Sequence, residues 1–156
     1  FRLKGSYAGA MGIPQFMPSS YRVYAVDFNG DNVRDLIGSV SDSIGSVGNY
    51  LNQHGWARGE SIAFPATLED SNVEEFLKKG IKPITAVEKM RSRGIKISED
   101  VSDNSKAALM KFQLPDGLVY WIGLNNFYVI TRYNHSSLYG MAVYQLSRII
   151  EKRYKE

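Results

Sequence analysis

The stretch KAALMKFQLPDGLVYWIGL, from Lys106 to Leu124, leaves this chain little choice of fold. Two runs of aliphatic and aromatic residues are separated by Pro-Asp-Gly, a composition that closes antiparallel hairpins. An antiparallel sheet is therefore required in the second half of the molecule. The next run, NFYVITRY (126–133), has the same β-branched and aromatic texture and reads as a third strand. Ahead of the hairpin, SNVEEFLKKGIKP and TAVEKMRSRGIKI are two copies of one pattern, fourteen residues apart. Each opens on a capping box, Ser71 with Glu74 and Thr85 with Glu88. Each predicts a two-turn helix stopped at Gly80 or Gly94, then an extended piece starting at Gly-Ile-Lys.

The flanks read as helical. GAMGIPQFMPSS has no strong period, and its prolines limit helix to short pieces. Ser19 or Ser20 can cap a short helix through YRVYAVDF. SDSIGSVGNYLNQHG predicts a second helix, with Ile44, Val47 and Leu51 on its apolar face, Ser41 or Ser43 as cap and Gly55 as stop. The last segment, SSLYGMAVYQLSRIIEKRYKE, is amphipathic. Leu138, Met141, Ala142, Leu146, Ile149 and Ile150 share one stripe, whose simplest partner is the helix at 43–54. The expected organisation is α+β. Residues 1–59 form the first part of a mainly helical core, 60–128 an inserted α+β domain with the antiparallel sheet, and 129–156 a returning segment with the C-terminal helix.

Between the first two helices lies DFNGDNVRDLIG. Asp27, Asn29, Asp31 and Asp35 occupy the first, third, fifth and ninth places of an EF-hand loop, and Val33 would offer its carbonyl at the seventh. Asn32 stands where Gly is usual but tolerates the left-handed conformation. Gly38 stands where a bidentate Glu is usual, so one ligand is missing. The loop is either a structural cation site, for one Ca2+, or a polar turn closed by Asx hydrogen bonds. A calcium sensor would need a paired second loop, and there is none.

The composition excludes several classes. Hydrophobic residues make up 44% and charged residues 22%, which is globular. No apolar run approaches the roughly 18 residues of a membrane span. With no cysteine, thiolate metal sites and disulfides are excluded. The net charge of +3 is scattered along the chain, so no nucleic-acid partner is expected. There is no phosphate-binding loop, nucleophile elbow or zinc-protease pattern, and no organic cofactor is expected. A carboxyl acid catalyst would need an apolar surrounding to hold its proton. Glu74 and Glu88 sit instead in capping boxes, Glu75, Glu99, Glu151 and Glu156 in charged, solvated runs, and Glu60 and Glu69 among polar neighbours. Ten Tyr, seven Phe and two Trp suit a core or a sugar- or peptide-binding groove equally.

Three blocks carry a resemblance: GSYAGAMGIPQFMPSSYRVYAVDFNGDN, DSIGSVGNYLNQHGW and NFYVITRYNHSSLYGMAV. In content and order they resemble the B-type lytic murein transglycosylases, whose core is lysozyme-like with a single EF-hand-like loop. The resemblance implies cleavage of the β-1,4 bond between N-acetylmuramic acid and N-acetylglucosamine, leaving a 1,6-anhydro sugar. One Glu acts there as acid and then as base on the sugar's own 6-hydroxyl, so no water attacks. That Glu lies upstream of the GSYAGAMG block, so the chain, which begins at Phe1 and not at Met, is expected to be a piece without its catalytic acid. The implied partners are peptidoglycan glycan strands and the N-terminal part of the same parent protein. The implied location is the periplasm, with outer-membrane anchoring carried by an upstream segment.

By position, the resemblance assigns glycan contacts to Ser6, Gln15, Met17, Tyr50, Tyr133, Asn134 and Tyr139. Amides and hydroxyls read sugar hydroxyls, and rings cover the apolar face of a pyranose. Each has a plainer alternative. Tyr50 lies beside the stripe of its helix and can be core. Asn134 can cap the last helix. Ser6 can be a turn residue, and His135 reads as structural. Only Gln15 has no evident packing role. The alternative functions are a glycan-binding module without chemistry and a structural calcium-loop protein.

Overall fold

The computed structural model describes residues 6–69 and 72–156. The elements in chain order are α1 (Pro18–Tyr24), α2 (Val40–Gln53), β1 (Ala63–Leu68), α3 (Glu74–Leu77), β2 (Thr85–Ala86), α4 (Val87–Arg91), β3 (Ile95–Ile97), β4 (Lys106–Leu114), β5 (Gly117–Gly123), α5 (Asn125–Tyr133) and α6 (Ser137–Lys155). They fall into two compact units, one ending at His54 and the other running from Gly55 to Glu156.

In the first unit a tight reversal precedes α1. Met11 and Phe16 exchange backbone hydrogen bonds of 2.8 and 3.1 Å across it. Gly12 turns this corner at a φ of 69°, and a Cβ there would lie 2.2 Å from the Leu36 carbonyl oxygen. The chain can pass so close to Leu36 only without a side chain. Pro18 sits in the first turn of α1, where its missing N–H costs nothing, and Met17 occupies the cap position. Ser19 and Ser20, expected as caps, lie inside the helix, which ends at Tyr24 rather than running on through Phe28.

Helix α2 forms where expected, but with another face inward. Its cap is Ser39, whose hydroxyl accepts from the Asp42 N–H, not Ser41 or Ser43. Its buried residues are Asp42, Ser43, Ser46 and Tyr50, whereas Ile44 is 66% exposed. The cause is the neighbour it packs on. The irregular chain at 24–36 has backbone groups with no ladder partners, and these must be paired. Ser46 Oγ accepts from Val26 N, Asn49 Nδ2 donates to the Tyr24 carbonyl, and Ser43 Oγ donates to the Leu36 carbonyl. Gly55, the expected stop, follows the helix at a φ of 90°.

The second unit is built on a five-stranded antiparallel sheet in the order β2-β4-β5-β1-β3. The hairpin is as expected: Leu114 pairs with Gly117 across Pro115 and Asp116. The pleat then sends cross-strand pairs to opposite faces. Leu109 and Ile122 join one core with Phe76 of α3 and Met90 of α4, while Met110 and Trp121 join the other with Phe127 of α5 and Met141 of α6.

Three local expectations are corrected here. The run 126–133 is helix, not strand. Asn126, Phe127, Ile130 and Thr131 are buried at helical spacing, so burial of one stripe overrides the β preference of Val129, Ile130 and Thr131. The repeated pattern gives one short helix per copy, and neither the Thr85 box nor a matching cap forms. Thr85 is in β2, where its hydroxyl accepts from Lys79 Nζ, and Ala86 is the α4 cap residue. The Ser71 box lies outside the described residues, and only the second Gly-Ile-Lys becomes a strand, β3. Helix α6 buries Gly140 and Met141 but leaves Leu146, Ile149 and Ile150 each more than half exposed. The side of α6 that meets the sheet runs through Met141 and Tyr144, so the long stripe is not its packed face.

Close approach of α5 and α6 depends on Gly140, where a Cβ would meet Phe127 and Thr131 side-chain atoms at 2.9 Å. The start of α5 is tied down by buried Asn126. Its Oδ1 accepts from Ala57 N at 2.9 Å, and its Nδ2 donates to the Ala57 and Glu60 carbonyls at 2.8 and 2.9 Å.

Candidate functional site

The loop after α1 closes on its own acids. Asp27 Oδ1 accepts from Gly30 N and Asp31 N, and its Oδ2 accepts from Asn32 N at 2.8 Å. Asn29 donates from Nδ2 to Asp31 Oδ2, and Asp31 Oδ1 accepts from Val33 N. Asn32 adopts the left-handed conformation expected of it, at a φ of 69°. Asp35 faces elsewhere: its Oδ1 accepts from Ile37 N and Gly38 N, which closes the chain before α2.

A residue outside the twelve-place pattern completes the cluster. Asp42, in the first turn of α2, is fully buried. It accepts from Phe28 N, Asn29 N and Asp35 N at 2.9, 3.2 and 3.0 Å. The Phe28 N–H above all, with those of Asp35 and Asn29, holds its carboxyl below the usual carboxylate range against the opposing effect of burial. Carboxylate oxygens of Asp27, Asp31 and Asp42 all lie within 4.8 Å of one another. Three ionised groups this close repel unless a cation joins them, and oxygen-only donors suit a hard ion such as Ca2+. The sequence signal for Asp42 was available. It is an acid in the first turn of the helix that follows the loop, where Gly38 offers no carboxylate.

The residues singled out as glycan contacts divide between the two units. In the first, Ser6 and Gln15 both have local tasks. Ser6 Oγ accepts from Ala10 N, and Gln15 Nε2 donates to the Gly12 carbonyl at 2.8 Å. Gln15 is exposed and one of two non-glycine residues with positive φ among those described, at 52°. A left-handed glutamine is uncommon, and such conformations concentrate where a side chain must be aimed. Met17 is 42% exposed. Tyr50 is buried in an aromatic group, with its ring stacked on His54 at 4.0 Å and edge-on to Tyr24 at 4.8 Å.

In the second unit the α5–α6 junction brings Tyr133, Asn134 and Tyr139 together. The two tyrosine rings are parallel within 13°, with centroids 6.4 Å apart. Burial pushes the Tyr139 hydroxyl's pKa up, so the phenol stays protonated and able to donate. Asn134, which follows Tyr133, is exposed and extended and does not cap α6. That cap is Ser136, whose Oγ accepts from Tyr139 N. His135 is exposed, not a packed structural histidine.

Residues 1–148 match the Transglycosylase SLT domain family. The chain belongs to that family. It is 44% identical over 148 residues to membrane-bound lytic murein transglycosylase B of Escherichia coli K12, covering 95% of this chain and 40% of the relative. Soluble lytic transglycosylase SltB1 of Pseudomonas aeruginosa superposes with a TM-score of 0.92 at 46% identity, over 99% of this chain and 51% of that one. Escherichia coli Slt35 in complex with calcium superposes with a TM-score of 0.84 at 39% identity, over 99% of this chain and 48% of that one. Slt35 has also been solved in complex with bulgecin A. This transglycosylase domain thus spans about half the length of its solved relatives. Among the described residues, no helix is long and apolar enough to cross a membrane.

Proposed function

We propose that this transglycosylase domain holds peptidoglycan glycan strands for cleavage of the β-1,4 bond between N-acetylmuramic acid and N-acetylglucosamine. The observation that carries this reading is the parallel pair of Tyr133 and Tyr139 rings with the exposed Asn134 next to Tyr133 in the chain, in a member of this family. Parallel rings fit the flat apolar face of a pyranose, and the amide beside them can both donate to and accept from an acetamido group. We also assign glycan contacts, within the first unit, to Ser6, Gln15 and Met17, with Tyr50 in the aromatic group of that unit. We assign the domain a lysozyme-like core.

The acid belongs to the part of the parent protein beyond this chain. It protonates the glycosidic oxygen as the bond from C1 breaks. The resulting carboxylate then takes the 6-hydroxyl proton as O6 bonds to C1. The task of the residues here is to hold the sugar so that O6 reaches C1 before water does. Among the described residues, the carboxyls with displaced titration, Asp42 and Glu151, are both held ionised, which disqualifies them as proton donors near neutral pH. We further assign one structural Ca2+ to the loop, through Asp27, Asp31 and Asp42 with Asn29 and the Val33 carbonyl, and with Asp35 bracing the turn. The work is placed in the periplasm.

Substitution tests the contact residues. Asn134→Ala weakens binding of chitooligosaccharide or muropeptide in a chemical-shift titration and leaves the urea midpoint unchanged. Ser136→Ala, which removes the helix cap, costs about 1 kcal/mol of stability instead. A normal affinity in the Asn134 variant would remove it from the binding surface.

A further inference from the structure

A groove of about 480 Å³ runs between the chain entering β1 and the outer half of α6. Its walls include Glu60, Ser61, Trp121, Tyr144, Arg148 and Glu151. None of them was singled out in the sequence, and none is Tyr133, Asn134 or Tyr139. Trp121 and Tyr144 meet edge to face, with centroids 6.1 Å apart at 74°, and Tyr144 is fixed by a hydrogen bond to the Ala63 carbonyl. Glu60 is fixed from behind, since its carbonyl accepts from buried Asn126. On its other side Trp121 also lines an apolar hollow of about 430 Å³, walled by Val119 and Met141 among others.

The formal charges at this groove, Glu60 and Glu151 against Arg148 and the neighbouring Lys155, balance, and three of the four are paired. Glu151 accepts from Lys155 Nζ at 2.6 Å and is ion-paired with Arg148, and these two cations hold its carboxyl ionised. Such a site has no net attraction to offer a charged ligand. It offers oriented donors and acceptors beside a fixed indole and phenol. That combination suits a neutral polyhydroxylated ligand, whose vicinal hydroxyls meet a guanidinium–carboxylate pair while its C–H face lies on the rings. The adjoining apolar hollow has room for a methyl group, as an acetamido substituent carries. We propose that the groove around Trp121 is a second saccharide-binding site, for a β-1,4-linked chain of N-acetylated sugar. Only the choice of N-acetylated sugar rests on the functional reading above.

The test uses the 156-residue chain, the tetramer of β-1,4-linked N-acetylglucosamine, and the indole N–H resonance of Trp121, distinguished from that of Trp56 by Trp56→Phe. The expected result is a saturable shift of the Trp121 signal whose midpoint is the same in low and high salt, because the ligand is uncharged. Arg148→Ala and Glu60→Gln, both at exposed side chains, each raise the midpoint about tenfold or more, as loss of one hydrogen bond to a charged group does. Melting curves of both variants match the parent's. A Trp121 signal that does not move at millimolar tetramer, or that moves identically in both variants, overturns the proposal. So does a midpoint that collapses with salt. The Asn134 amide, read in the same spectra, separates the two claims. Movement at Asn134 without movement at Trp121 removes this groove and leaves the proposed function standing. Movement at Trp121 alone supports the groove and counts against Asn134.

Discussion

Asp42 shows how one side chain can define a loop. It sits in the first turn of a helix, where a carboxylate is favoured by the helix dipole, and it takes three backbone N–H groups from the loop before it. Asn cannot replace it, because an amide has one accepting oxygen and would turn its NH2 toward a donor. Asp42→Asn is therefore expected to destabilise the chain clearly at neutral pH, measured by urea unfolding in chelator. The pH dependence has a definite sign. The folded carboxyl titrates below its unfolded value, so its contribution is full above the ordinary carboxylate range and is lost as pH falls through the folded value. The gap between parent and variant should close on acidification; a gap that widens would contradict this account. The sequence made Asn32 legible because its left-handed conformation is a local property. Asp42 was missed because a twelve-place template ends at Gly38, although an acid in the first turn of the following helix was there to be read. Gln15 is intermediate: its lack of a packing role was readable, but the φ of 52° and the bond to Gly12 that aim it were not.

At the scale of elements, the hairpin was readable to the residue because turn chemistry and strand composition agree there. Helix α5 was not, since β-branched residues argued for strand while buried spacing argued for helix, and tertiary burial decided. Strand β1 was also missed: Pro65 weakens it as a strand, yet Pro65 is paired with Trp121 in the sheet. Asn126 joins these pieces. Asn126→Ala removes three hydrogen bonds and leaves part-buried backbone groups of Ala57 and Glu60 to be re-paired. The expected loss is about 2–3 kcal/mol by denaturant unfolding. Loss of less than half that would mean that water replaces the side chain. The acidic loop gives the complementary expectation. Asp27, Asp31 and Asp42 are drawn together already, so a bound cation relieves repulsion that the fold otherwise carries. Millimolar calcium should raise the melting temperature over that in excess chelator by mass action, and more weakly in Asp42→Asn. Superimposable melting curves would leave the loop as a turn closed by its own hydrogen bonds.

Over the whole molecule, the mixture of helix and antiparallel sheet was legible because it follows from the hairpin and the amphipathic segments. The family was legible because three blocks recur in order. What composition could not supply is which surfaces are spent. The long stripe of α6 reads as core, yet its outer half is exposed around a charged Glu151. The domain spans about half of these solved relatives, and the proposed function assigns the acid to the remainder. Proton delivery to a glycosidic oxygen needs a carboxyl that keeps its proton near neutral pH, hence one in an apolar, desolvated place. Asp42 and Glu151, stabilised as anions, are the opposite case. This chain alone is therefore expected to release no anhydro-muropeptides from purified sacculi, read by mass spectrometry. The intact parent, or the rest of it co-expressed with this chain, should release them. In that assembly Asp42→Asn should lower release only as far as it lowers the folded fraction, because the residue braces the loop and touches no substrate. Changing the parent's acid from Glu to Gln should abolish release while the assembly still binds the sugar tetramer. Anhydro products from the 156-residue chain by itself would place the acid among its own carboxyls, with exposed Glu60 and Glu69 the first to replace by Gln.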